Sequence, residues 1–131
     1  MPETSSAVSQ SLVEQFAKAF ADFVNAVALA VQEAAMNTAL SATPNLLVWQ
    51  TKVLPMLEEQ NHAIQKGVAL FQIGETQTIV RLAGGARGLA KQLDGYPLDF
   101  AGPKHVEVLD RLETAVVVTA YQVCVAARET P

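Results

Sequence analysis

Charge is what this sequence has least of. Asp, Glu, Lys and Arg make up only 17% of its 131 residues, against about a quarter in ordinary globular domains. A monomer so poor in charge is short of side chains to cover its surface. Either the fold is an efficient, Ala-rich one, or a partner covers some of its apolar surface. Positive charge is scarcer still: 9 Lys and Arg against 13 Asp and Glu leave a net charge of −4 and a pI near 5.0. That balance speaks against a nucleic-acid-binding face. The single cysteine, Cys124, excludes an intrachain disulfide and a cysteine-based metal cluster. Its surroundings, Tyr121 to Ala127, make it a small buried hydrophobe.

Other absences narrow the location. The opening Met-Pro-Glu-Thr-Ser-Ser lacks the basic and apolar regions of a secretory signal, and a cytoplasmic protein is expected. The uncharged apolar stretch Thr114 to Ala127 is well short of the ~20 residues a bilayer requires. Lys18, Asp22 and Glu33 interrupt the earlier apolar run, so no transmembrane span is expected.

Catalytic constellations are equally scarce. His62 and His105 are the only histidines. Glu58 and Glu59 precede His62 at helical spacing, yet no second Glu-x-x-His completes a di-metal site. A surface pair is the expectation, with neither metal nor cofactor. Cys124 has no charged neighbour in sequence to activate it. The serines at 5, 6, 9, 11 and 41 sit where helix caps are needed. Trp49 and Phe71 read as core or interface anchors.

What the chain does have is a helical seam. Val13, Phe16, Phe20, Phe23, Val27, Ala30 and Ala34 recur at alternating spacings of three and four, the rhythm of a helix packing on another helix. Glu14, Lys18, Asp22, Asn25 and Gln32 lie opposite. After a short lead-in over residues 1–5, Ser11-Leu-Val-Glu14 fits a capping box, although the serines from Ser5 offer an earlier start. No Gly or Pro follows until Thr43-Pro44, a stop and restart. A first helix of roughly 30 to 37 residues would be about 45–55 Å long, well beyond a globule whose radius of gyration is about 14 Å. Such a helix projects, or the molecule is an elongated bundle.

A second helix from Pro44 meets Pro55, where a kink or break is expected near Leu54. Leu57, Ile64, Val68 and Phe71 continue its apolar face, and Gly74 ends or thins the segment. Ile79, Leu82, Ala86, Leu89, Ala90 and Leu93 mark a third helix. Asp94 to Pro103 holds two Pro and two Gly and is a loop. Its Tyr96, Leu98 and Phe100 predict that it lies against the bundle end. The last helix starts at Gly102-Pro103 and turns Val106, Leu109 and Leu112 inward. Ala115 to Val125 is apolar nearly all round and has strand propensity, but no other segment offers a strand to pair with it, so it is read as helix.

The run Arg81-Leu-Ala-Gly-Gly-Ala-Arg-Gly-Leu-Ala-Lys91 needs a reason, because each glycine costs about 1 kcal/mol against alanine in a helix. One reading is an anion site, with Gly84, Gly85 and Gly88 admitting a phosphate and Arg81, Arg87 and Lys91 supplying charge. The spacing matches neither common phosphate-loop pattern. Another is a flat strip at Gly84 and Gly88 where a second helix approaches closely, with Gly67 and Gly74 able to do the same. A plain break in the helix is the third.

No run of residues identifies a family. Phe23 to Ala35 resembles the Ala/Gln-rich helices of R-body structural proteins, and the resemblance implies self-assembly. Phasin-type granule-coating proteins are similar in the composition of their long Ala-rich helix. The expected fold is an all-α antiparallel bundle of three to five helices in a single domain spanning residues 1–131. The expected function is non-enzymatic helix–helix association, as a homo-oligomer or with a helical partner. Its interface is placed at Phe16, Phe20, Phe23 and Val27, with Gly84 and Gly88 making a close contact. The alternative is an apolar ligand, such as a lipid or haem, held between the helices.

Overall fold

The computed structural model describes residues 8–37 and 43–128, and the fold is all-α. The first helix, α1, runs Gln10–Met36. Its cap is Ser9, whose hydroxyl accepts the Leu12 amide at 3.1 Å, so the helix starts two residues earlier than the Ser11 box would start it. The Ser11 hydroxyl instead accepts the Gln15 amide nitrogen at 3.1 Å. Asn37 is extended, with φ −93° and ψ 111°, and ends the helix at 27 residues. That is about 40 Å at 1.5 Å per residue, shorter than the periodicity alone suggests. Asn is a weak helix former whose side chain competes for the backbone. The expected lead-in over 1–5 and the expected helical residues 38–42 lie outside the described residues.

Pro55 does not break the second helix. Pro44–Val48 forms α2, Leu54–Gln72 forms α3, and a π-turn at Trp49–Val53 joins them into one column. Proline has no N–H to donate, and its ring crowds the preceding turn. The π-turn lets the Leu54 N–H reach back five residues to the Trp49 carbonyl, leaving Pro55 in the first turn of α3. The column ends at Gly74, whose φ of +99° suits a residue without Cβ. Around it, the Glu75 amide bonds to the Leu70 carbonyl at 2.8 Å and the Gly74 amide to that of Phe71 at 3.1 Å, a Schellman closure.

Helix α4, Gln77–Leu93, descends from there, and α5, Pro103–Arg128, returns. The Ala115–Val125 run is helical, as its lack of a pairing strand implied. Four columns thus run alternately up and down. They form a square in which α3 and α5 each touch both α1 and α4.

The core lies along the axis of this square. Phe16, Phe20, Leu57, Ile64, Ile79 and Val123 are fully buried, and Phe16 meets Phe20 edge-on at 6.5 Å between centroids. Each large apolar side chain taken from water contributes about 1.5–3 kcal/mol. Among the described residues no polar or charged residue falls in the buried class. Ala83, Ala86 and Ala90 give α4 a small-residue inner face. Helix α3 packs tightly on α4 at Gly67, where a Cβ would stand 3.3 Å from the terminal carbons of both Ile79 and Leu82. The close approach within the chain therefore falls on Gly67, not on Gly84 and Gly88.

Candidate functional site

The expected interface residues divide sharply between inside and outside. Phe16, Phe20, Phe23 and Val27 are all buried in the chain's own core, so that seam packs α1 against the other columns of the same molecule. Gly84 and Gly88 are exposed, and a Cβ at either would meet nothing within 4 Å. Gly85 is equally open. The alanines and Leu93 take the core side of α4, which leaves the glycine stripe facing outward.

This geometry decides among the readings of the glycine run. Gln77 to Leu93 is continuous helix, so there is no break. Backbone N–H groups inside a helix are already bonded and cannot cradle a phosphate. Arg87 lies with its guanidinium 5.0 Å from the Tyr121 ring centroid, an attraction of about 0.5–1 kcal/mol at an exposed site.

Tyr121 belongs to a second outward stripe. Val118, Tyr121 and Val125 follow helical spacing on α5, and Val118 and Tyr121 are 47% and 50% exposed. The all-round apolar half of α5 therefore buries one face, at Val116, Ala120 and Val123, and leaves another open beside the glycines of α4. Between the two helices lies a cleft of about 360 Å³ lined by Arg87, Gly88, Lys91, Asp94, Glu113 and Val117. Towards the loop it adjoins a deeper cavity of about 180 Å³ that reaches Phe23 and Trp49.

Carboxylates gather at this end. Asp94, Asp110 and Glu113 border the deeper cavity. Partial burial, then the nearby charges of Asp94 and Asp110, push the Glu113 carboxyl above its ordinary value. Sequence reading did not single out these three, because Asp94 ends α4 and the other two lie on α5. Only the antiparallel packing of α4 on α5 brings them together. The loop from Gly95 to Gly102 does cover the bundle end, as its apolar residues predicted. Trp49 donates to the Pro97 carbonyl at 3.2 Å, its ring lies 6.0 Å from that of Phe100, and Asn45 donates to Asp99 at 2.9 Å.

Other candidates fall on the surface. Glu58, Glu59 and His62 are exposed on α3. His105, given no role from sequence, pairs with Glu33 at 2.8 Å and links α5 to α1. Cys124 is a free, half-buried thiol rather than a fully buried one. Among the described residues no three His, Cys, Asp or Glu side chains converge to hold a metal ion. Helix α1 is long and apolar enough, by length and composition, to cross a membrane. Lys18, Asp22 or Glu33 still falls within every stretch of that length, as the sequence reading has it, and the same apolar residues form the bundle core. Comparison with protein-family models, curated proteins and solved structures found no match.

Proposed function

We propose that this protein acts by association, with the outer α4–α5 face of one copy docking on the same face of a second. The observation that carries the reading is the open glycine stripe. Three glycines in mid-helix, each costing about 1 kcal/mol against alanine, meet no neighbour in their own chain. A helix from outside can approach such a surface closely, and the exposed Val118 and Tyr121 beside it supply apolar area.

Charge favours a second copy as the occupant. Arg81 stands near the start of α4 and Arg87 just past its middle, and Asp94, Asp110 and Glu113 outnumber Lys91 where α4 ends against α5. Two copies related by a two-fold axis across the helices would set the basic half of each face against the acidic half of the other. The apolar-ligand alternative gains little from the interior: the void bounded by Phe20, Phe23 and Leu57 measures about 10 Å³ and the cavity at Phe23 and Trp49 about 180 Å³, both below the roughly 300 Å³ at which ordinary ligand pockets begin.

Light scattering after size exclusion, over a hundredfold range of concentration, tests the reading. A dimer that dissociates on dilution is expected for the wild type, and a monomer throughout for Gly84→Gln/Gly88→Gln. A wild-type monomer at every concentration would remove the reading. A dimer persisting in the variant would place the contact elsewhere.

A further inference from the structure

The cleft between α4 and α5 has an aromatic ring standing beside it. The cleft is lined by the small residues Gly88, Ala90 and Val117 and by the charged Lys91, Asp94 and Glu113. Tyr121 lies one helical turn beyond Val117 on α5 and is half exposed, held only by the Arg87 guanidinium at 5.0 Å. We infer that the Tyr121 ring of each copy seats in the Gly88 cleft of the other, an inference that rests on the association proposed above and supplies its anchor.

Size and symmetry both fit. A cavity of about 150 Å³ holds benzene, so a cleft of about 360 Å³ admits a phenol ring. Part of that room exists because position 88 has no side chain; a Cβ there would meet nothing within 4 Å. In a two-fold contact residue i meets j while j meets i, so a projecting ring must lie on the same face as the hollow that receives it. An axis lying across the helices, between Tyr121 and the cleft, carries both rings into both clefts at once. The Arg87–Tyr121 contact sets the α4 glycines level with this part of α5, so the same axis brings glycine stripe against glycine stripe.

The lining suits a phenol better than a hydrocarbon ring. A phenolic hydroxyl donates to a carboxylate and accepts from an ammonium group, and Asp94, Glu113 and Lys91 offer both. Tyrosine is also among the side chains that most often carry the binding energy of an interface, because it buries a large rigid ring and keeps a polar tip. The exposed Val118 adds an apolar surround that excludes water from the seated ring.

Sedimentation equilibrium of the whole chain and two variants tests the anchor. Tyr121→Ala is expected to weaken the dimer at least about a hundredfold, because both rings go at once, and Tyr121→Phe about tenfold. The side chain is half exposed, so each variant should melt within a few degrees of the wild type, which separates a lost contact from a lost fold. Register is read by disulfide trapping in a Cys124→Ser background. Mixing Tyr121→Cys chains with Gly88→Cys chains leaves one ring and one cleft intact and brings the two introduced thiols together. Oxidation should then link the two kinds of chain to each other in preference to their own kind. A wild-type dimer that Tyr121→Ala leaves equally tight, or thiols that link Tyr121→Cys chains mainly to one another, would overturn the anchor and leave the association standing. A wild type that stays monomeric at every concentration would remove both.

Discussion

The indole N–H of Trp49 meets the carbonyl of Pro97 at 3.2 Å, joining the π-turn of the second column to the loop between α4 and α5. Trp49 is 2% exposed, so its hydrogen bond is made from within the core. A buried indole without a partner is costly, and the Pro97 carbonyl supplies the partner.

Trp49→Phe removes that bond and keeps an aromatic ring against Phe100. A loss of about 1 kcal/mol is expected in urea unfolding, with the slope unchanged. Trp49→Ala should lose about 3–5 kcal/mol. Equal losses for the two variants would show that the hydrogen bond, not the ring, holds the loop.

The glycines of α3 and α4 should respond with opposite signs. Gly84→Ala and Gly88→Ala place a methyl group in open space on a helical backbone, and each is expected to stabilise the chain by about 0.5–1 kcal/mol. Gly67→Ala sets its Cβ 3.3 Å from both Ile79 and Leu82, so a net destabilisation of about 1 kcal/mol is expected. Thermal melts of dilute samples check the series. Stabilisation at Gly67 would mean that α3 and α4 separate more readily than their packing suggests.

Two glutamates should move stability in opposite directions with pH. Burial, then Asp94 and Asp110, raise the Glu113 carboxyl above its ordinary 4.5. A carboxyl that binds its proton more tightly in the fold subtracts stability as pH rises from about 4.5 through the raised value. Glu113→Gln should therefore raise the melting temperature at pH 7, on the order of a degree or two because the group is only partly buried. The gain should vanish below about pH 4. Glu75 has the reverse sign, because the Thr78 hydroxyl and then its amide hold the carboxylate below 4.5. Its contribution is present above about 4.5 and lost as pH falls through the lowered value, so Glu75→Gln should lower the melting temperature at pH 7 and not in acid. A melt series from pH 3 to 7 that shows no pH dependence in either variant would contradict both signs.

Much of the architecture was legible because helical spacing survives into the fold. The Phe16–Phe23 seam, the apolar face of α3 and the loop after Asp94 follow directly from periodicity and from Gly and Pro. What periodicity cannot supply is the identity of the surface opposite each face. It marks Phe20 as facing a helix without saying that the helix belongs to the same chain. It gives α4 both an alanine stripe and a glycine stripe, and only the assembled square shows that alanine faces the core. Pro55 was legible as a disturbance, but the π-turn that accommodates it depends on Leu54 finding the carbonyl of Trp49. The carboxylates at the cavity edge come from two helices joined by the loop, and no local pattern connects them.

The square arrangement also bears on how the chain reaches its native state. Three of its four sides join columns that follow one another in sequence, so each forms over a short connection. The fourth, α1 against α5, joins the two ends of the described chain and must close the longest loop. Local antiparallel pairs of this kind favour rapid folding. The docking of α5 on α1, with His105 reaching Glu33, is the contact that closes a row of three antiparallel pairs into a bundle.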